Sequence, residues 1–315
     1  MRRFTSIVLA MAMTICSGIV GYADDKKAEQ QSPLNLSSKS AILMDVGSGQ
    51  ILFEKNSHDK LPPASVTKVM TMLLAVEALD SEKIKLDDQV QISERAAEMG
   101  GSQIFLEPGE SQKVDDLLKG IAVASANDAC VAMAEFIGGS EEEFVAMMNN
   151  KAKEIGLKNT NFVTPSGLDD ENHYTTAYDL AMLTKYAMNN KEFAAAVGSK
   201  SAVLNYGNPP YRRTLTNHNK LLKSVDGCVG VKTGFTKKSG RCLVSAVKRD
   251  GKYVIAVTLN APNDWQDHKN MLEYGLSKII QTEVTPKKSK YKIPVISGEN
   301  KELTVKIEPL LLNSL

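Results

Sequence analysis

The chain predicts an α+β fold, an antiparallel sheet flanked by helices with a helical subdomain, and three patterns in its 315 residues carry that expectation. Ser40-Ala41-Ile42-Leu43-Met44-Asp45 and Gln50-Ile51-Leu52-Phe53-Glu54 lie on either side of Gly47-Ser48-Gly49, the punctuation of a β-hairpin. In the middle of the chain apolar residues recur at three- and four-residue spacing, the period of helices with one packed face. From Ser201 onward the pattern changes to short strands and closes on a long amphipathic helix. Helices grouped between runs of strand, rather than alternating with them, imply that the first hairpin joins the late strands in one sheet.

Taken in order, residues 24–39 are polar and rich in breakers, a tether ahead of the hairpin. Pro62-Pro63 ends whatever precedes it, and Ser65 is a good opening residue for the helix that Val66 to Val76 continue. Ser81 to Asp88 is charged, Gln89 to Ile92 reads as a strand, and Glu107-Pro108-Gly109-Glu110 as a loop. Val114 to Val123 puts Val114, Leu117, Leu118, Ile121 and Ala122 on a helix face, and a second helix, Asn127 to Ile137, follows with almost no linker. Ser140-Glu141-Glu142-Glu143 is an acidic helix start, favoured by the macrodipole, that leads to Phe144, Met147, Met148 and Ala152 and stops near Gly156. Thr175 to Asn189 forms another helix. Strands are expected at 202–204, 213–216, 229–233, 242–247 and 253–259, and the closing helix at 265–280. These make one domain, 40–283. Residues 284–315 hold strand signals only at 291–295 and 303–307, too little for a core of their own.

Residues 1–23 read separately. Arg2-Arg3, an apolar run from Ile7 to Val20, and Gly21-Tyr22-Ala23 with small residues where a signal peptidase reads make a secretory signal peptide. A retained anchor needs about 20 apolar residues, and Ser17-Gly18 interrupts the run. Cys16 follows the bulky Ile15, which argues against lipidation there. Losing Arg2 and Arg3 takes the net charge from +1 to −1, so nothing points to nucleic acid. An exported, extracytoplasmic protein follows, released or on the cell-wall side of the membrane. Leu310-Leu311-Leu312 is too short for a C-terminal anchor. Three cysteines remain, and a hairpin turning near Lys237-Lys238 would not bring Cys228 opposite Cys242, so free, partly buried thiols are expected. His58, His173, His218 and His268 lie far apart without ligand spacing, so neither metal nor cofactor is expected.

Chemistry-bearing residues stand at three separated points. Ser65 and Lys68 are three residues apart, hence on one helix face, where the amine can activate the hydroxyl as a nucleophile. Ser57 and Lys60 have the same spacing but lie in a polar run ahead of two prolines, with no helix to align them. Ser125-Ala126-Asn127 falls at the junction of the two middle helices, which can turn both polar side chains into a cleft. Lys232-Thr233-Gly234 ends an apolar strand, with Gly234 allowing a ligand or another backbone to approach; strict alternation would put Lys232 and Thr233 on opposite faces. Each motif alone is also what an ordinary cap or hairpin end looks like. Their order and settings, on helix start, helix junction and strand end, favour one shared site.

These are the three motifs of the penicillin-binding proteins and class A β-lactamases. The chain resembles the low-molecular-mass penicillin-binding proteins that act as serine-type D-alanyl-D-alanine carboxypeptidases, over about Ser40 to Gln281. The likeness extends through Pro63 to Thr71, Ala124 to Ala129, Thr164-Pro165-Ser166-Gly167-Leu168, Tyr174 to Ala181 and Asp226 to Gly234. The resemblance implies a β-lactamase/transpeptidase-like fold and removal of the last D-alanine from peptidoglycan stems ending in D-Ala-D-Ala, with β-lactams as covalent inhibitors. Ser65 would be the nucleophile and Lys68 its proton acceptor, made neutral by burial and by a nearby Lys232 ammonium. Ser125 would relay a proton to the leaving amine, and Asn127 would hold the substrate amide and the lysine. Lys232, Thr233 and Gly234 would receive the terminal carboxylate, and the backbone N–H groups of Ser65 and Phe235 would form the oxyanion hole. His218 stands where some relatives carry a carboxylate-binding arginine, a departure that leaves the strength and pH dependence of carboxylate binding open; the other reading is a loop histidine with no role. Two other readings are a β-lactamase and a catalytically silent peptidoglycan-binding protein. The chain lacks a Glu-x-x-Leu-Asn sequence after the second motif, with Asp169-Asp170-Glu171 in a different context, so slow release of penicillin is expected.

Overall fold

The computed structural model describes residues 33–206, 211–285, 290–294, 302–306 and 310–314. The expected signal segment and the first part of the tether lie outside the described residues. Residues 34–39 are docked rather than loose: the Asp267 carboxylate accepts Ser37 N and Ser38 N at 3.1 Å each and the Ser37 hydroxyl at 2.8 Å, and Leu36 is buried.

In chain order the elements are β1 (Ser40–Asp45) and β2 (Ile51–Lys55), then a 3-10 turn (Ala64–Thr67) running into α1 (Lys68–Asp80). The helical block follows, with β3 (Gln89–Gln91), α2 (Glu94–Ala97), β4 (Ser111–Lys113), α3 (Val114–Ala124), α4 (Asn127–Gly138), α5 (Glu141–Glu154), α6 (Ala177–Ala187) and α7 (Lys191–Gly198). Then come β5 (Ser201–Tyr206), β6 (Tyr211–Thr216), α8 (Leu221–Ser224), β7 (Cys228–Thr236), β8 (Gly240–Arg249), β9 (Lys252–Leu259) and α9 (Asp264–Lys278). The tail pairs as β10 (Ile280–Val284) with β13 (Leu310–Ser314), enclosing β11 (Lys290–Pro294) with β12 (Glu302–Lys306).

The expected joining of early and late strands is present: one antiparallel sheet runs β2-β1-β9-β8-β7. Its side-chain period of two divides the core. Ala41, Leu43, Leu243, Val247, Val254 and Ala256 face α9 through Met271 and Leu272. Ile42, Met44, Val244, Ala246, Ile255 and Val257 join the larger cluster formed with the helical block. A strand buried on both faces is therefore apolar at nearly every position, as β1 is. On the α9 face, His268 bonds Ser245 Oγ at 2.5 Å and Thr258 Oγ1 at 2.9 Å.

The predicted helices are present, with boundaries set by their caps. Ser140 Oγ accepts Glu143 N at the start of α5, and Thr176 Oγ1 accepts Asp179 N at the start of α6. The closing helix stops at Lys278, because Ile279 turns extended and Ile280 enters β10. Elements of three or four residues (α2, α8, β4) are too short for periodicity to show, and α7, β10 and β13 were also not predicted. The turn between β7 and β8 falls at 237–239 and pairs Cys228 with Val247 and Gly234 with Cys242, so Cys228 and Cys242 do not meet; all three described cysteines are free. Among the described residues no helix is long and apolar enough to cross a membrane.

Candidate active site

The site begins at the 3-10 turn. Leu61 is bridged to Thr175 by two backbone bonds of 2.8 and 3.0 Å, and Pro62-Pro63 leads from there into Ala64, whose φ of +50° reverses the chain. Ser65 does not open the α-helix as its cap. The helix starts at Lys68 behind a Thr67 that makes no side-chain cap bond, because the preceding residues wind as 3-10 and Thr67 Oγ1 instead donates to Ala64 O at 2.8 Å. Ser65 thus keeps its hydroxyl available.

Lys68 to Val76 is buried at every position, so the Lys68 amine must find its partners inside the protein. It reaches Ser65 Oγ at 2.8 Å, Asn127 Oδ1 at 2.7 Å and the Ser166 carbonyl at 2.6 Å. Asn127 is oriented by Nδ2 donating to Gly100 O at 2.7 Å, which turns its oxygen toward the lysine. An ammonium has three N–H groups for three acceptors. A neutral amine has two, which satisfy the two carbonyl-type oxygens and leave the lone pair facing the serine O–H. Both protonation states are accommodated without movement.

Ser125 takes the left-handed conformation (φ +59°) between α3 and α4, and this brings both motif side chains to one place. Its hydroxyl accepts from Lys232 Nζ at 2.9 Å, and Lys232 also donates to Thr233 O at 2.9 Å. Gly234 explains how β7 comes so close to Ser65: a Cβ there would stand 2.9 Å from Pro63 O and 3.1 Å from Ser65 N and Val66 N. Asp128, fully buried, accepts Ile104 N, Leu106 N and Ala129 N, and Asn127 N donates to Ser102 O at 2.7 Å, so the segment 100–106 is fixed above the lysine.

Burial lowers the Lys68 pKa to about 8, opposed by the Cys130 and Asp128 charges. Cys130 is itself pushed up to about 11 by burial, so its thiol is neutral near pH 7 and Asp128 is the standing counter-charge. Lys232 is lowered to about 7, by burial first and then by the Lys68 charge. The expected repulsion thus acts on Lys232 rather than as a leading cause at Lys68. His218 is held below the ordinary imidazole range by loss of water in the cleft and then by Lys232.

Ser65, Ser125, His218, Thr233, Gly234 and Phe235 line one cleft of about 830 Å³, with Lys68, Asn127 and Lys232 buried at its base. Lys232 is buried and Thr233 stands on the cleft wall, but alternation does not part them, since the Lys232 amine reaches the Ser125 hydroxyl that lines the same cleft. The Ser57 hydroxyl, by contrast, donates to Glu54 at 2.6 Å and does not line this cleft. Sequence reasoning gave no role to the Ser166 carbonyl, Thr67, Thr71, Asp128 or His173. The signals available were the polar Thr67 and Thr71, four apart within an apolar run, and the family-like stretches that hold Asp128 and Ser166.

Residues 25–263 match the family described as D-alanyl-D-alanine carboxypeptidase. The chain is 45% identical over 283 residues to the D-alanyl-D-alanine carboxypeptidase DacF of Bacillus subtilis, covering 88% of this chain and 72% of that protein. It is 38% identical over 263 residues to DacC of Escherichia coli, covering 80% of this chain and 64% of that protein. Among solved structures, the D-alanyl-D-alanine carboxypeptidase DacD of Francisella tularensis superposes with a TM-score of 0.75 at 29% identity, covering 89% of this chain and 81% of that one.

Proposed function

This chain belongs to the D-alanyl-D-alanine carboxypeptidase family, and from that premise we propose that it is the serine-type enzyme, working through an acyl-enzyme at Ser65. The observation that carries the reading is the Lys68 amine, poised between two carbonyl-type acceptors and the Ser65 hydroxyl. Neutral Lys68 takes the hydroxyl proton as Ser65 Oγ bonds to the carbonyl carbon between the last two D-alanines. The carbonyl electrons move onto oxygen, where the N–H groups of Ser65 and Phe235 receive them. On collapse the C–N bond breaks, and the leaving amine takes a proton through Ser125, which touches Lys232. Water then cleaves the ester, freeing the shortened stem.

The terminal carboxylate is met by Thr233, Lys232 and His218. Because His218 is neutral at pH 7, it offers an N–H where an arginine would offer a charge. The catalytic domain is residues 40–283, and the charged and apolar pattern of residues 2–20 supports export.

Slow penicillin release has a local basis. The loop group facing Lys68 is a carbonyl, while Asp169 accepts from Thr236 Oγ1 at 2.7 Å and Asp170 from Asn172 N at 2.7 Å. No carboxylate of that loop bonds to Lys68. The test is release of D-alanine from a pentapeptide stem mimic, together with labelling by fluorescent penicillin. The wild type should release D-alanine and hold the penicillin for many minutes, and Ser65→Ala should do neither. Absence of release by the wild type would favour a silent binding protein, and penicillin turnover within seconds a β-lactamase.

A further inference from the structure

One imidazole joins the turn that carries Ser65 to the loop that holds Lys68. His173 is 2% exposed, between Thr67 and the segment 163–167. Its Nδ1 faces Val163 N at 3.1 Å and Thr164 N at 3.3 Å. Both are donors, so Nδ1 carries the lone pair and Nε2 the proton. Nε2–H then donates to Thr67 Oγ1 at 2.8 Å, whose own proton goes to Ala64 O. The backbone thereby fixes the tautomer.

The same loop supplies the carbonyl that receives Lys68. Thr71 Oγ1 donates to Pro165 O at 2.6 Å and Gly167 N to Thr164 Oγ1 at 2.9 Å, on either side of Ser166. At Gly167 (φ +81°) a Cβ would lie 2.0 Å from Ala64 O and 2.6 Å from Thr67 Oγ1, so turn and loop touch directly there. At the other end of the loop the imidazole is the spacer. Phe162 meets its ring edge-on at 5.8 Å between centroids.

We infer that His173 is a positioning residue: through Thr67 and the 163–167 loop it sets where the Ser166 carbonyl holds the Lys68 amine against the Ser65 hydroxyl. It lies behind the nucleophile and does not line the cleft. The ring works as a neutral group. Burial lowers its pKa to about 4, with Asp170 and Asp169 opposing and Lys68 adding to the effect.

The inference rests on Ser65 and Lys68 acting as proposed above, and the experiment separates the two. The acylation rate constant for a fluorescent penicillin is measured from pH 5.5 to 9.5 on the full chain, beside titration of active sites and thermal melts. His173→Asn keeps an acceptor near Val163 N and Thr164 N but cannot reach Thr67. Thr67→Val removes the hydroxyl at constant shape. Both should lower the plateau rate about 10–100-fold, the cost of a misplaced reacting group. The acid limb should move to lower pH, because a displaced Ser166 carbonyl stabilises the Lys68 ammonium less. Thr67→Ser should restore rate and midpoint, and the double variant should lose less than the two single losses multiplied together, since both substitutions break the His173–Thr67 bond while Thr67→Val also removes the bond to Ala64 O. A Thr67→Val enzyme with wild-type rate and midpoint overturns the inference. So does a variant that only loses titratable sites, the remainder reacting normally. Labelling that survives Ser65→Ala overturns the parent reading as well.

Discussion

Lys68 occupies a position that the rest of α1 would fill with an apolar side chain, and Lys232 is equally enclosed. A buried ammonium costs several kcal/mol unless its charge is met, and the usual response is a lowered pKa. The two amines, at about 8 and about 7, titrate as a pair, so the states that matter belong to both. In the proposed mechanism one proton is shared between them, with Lys68 as base and Lys232 cationic, the reverse of the free enzyme, where Lys232 has the lower value and the single proton rests mainly on Lys68. The free enzyme loses its first proton near 7 and its second near 8. A plot of kcat/KM against pH should therefore be a narrow bell centred between those values. A bound carboxylate stabilises the Lys232 ammonium, which in turn repels a charge on Lys68. The limbs of the kcat profile should move apart, and a peptide whose terminal carboxylate is amidated should keep them together. Profiles of equal width for kcat and kcat/KM with the acid substrate would contradict this division of the proton.

At the scale of elements, the site is a junction of one turn, one edge strand and one helix corner. The strand meets the turn where Gly234 lies against the backbone of Pro63, Ser65 and Val66. Backbone atoms cannot swing aside as a side-chain end can, so Gly234→Ala should push β7 away and widen the gap between the Ser65 and Phe235 N–H groups. Acylation should drop about 100-fold, with a stability loss of about 1–3 kcal/mol; stopped-flow labelling and a melt measure the two. A Gly234→Ala enzyme that acylates at the wild-type rate would remove the close approach from the account of the oxyanion hole. The sequence made the strands of the sheet and helices α3 to α6 legible because period records burial, and it marked Ser65, Lys68, Ser125, Asn127 and Lys232 because residue type records chemistry. Thr67, His173 and the Ser166 carbonyl left little mark. Their partners are backbone atoms of segments brought together only by folding, and any residue type could supply those atoms. The same holds for the start of α1, where packing against Gly234 and the Thr67 bond favour a 3-10 turn over a serine cap.

For the molecule as a whole, four buried bases act with one sign. His173 and His268 are lowered to about 4 and about 3, both mainly by burial, and Lys68 and Lys232 to about 8 and about 7. In each case the unfolded chain binds the proton more readily than the fold does. Stability therefore rises with pH wherever the unfolded group is still protonated and the folded one is not. For the lysines that window runs from about 7 or 8 up to 10.5, and for the histidines from about 3 or 4 up to 6.5. Acidification below pH 6.5 should remove on the order of 3–5 kcal/mol for each histidine by the time both folded values are passed. His268 separates this effect from catalysis, since it sits between Ser245 and Thr258 on the face of the sheet turned to α9. Urea unfolding of the wild type and of His268→Gln between pH 4 and 8 is the measurement. The variant begins less stable at pH 8, having lost a fitted pair of bonds, yet it should lose less on acidification. The two curves should therefore converge toward pH 4. Curves that stay parallel would mean that the His268 ring is charged in the fold already, with Ser245 and Thr258 both accepting from it rather than one of them donating.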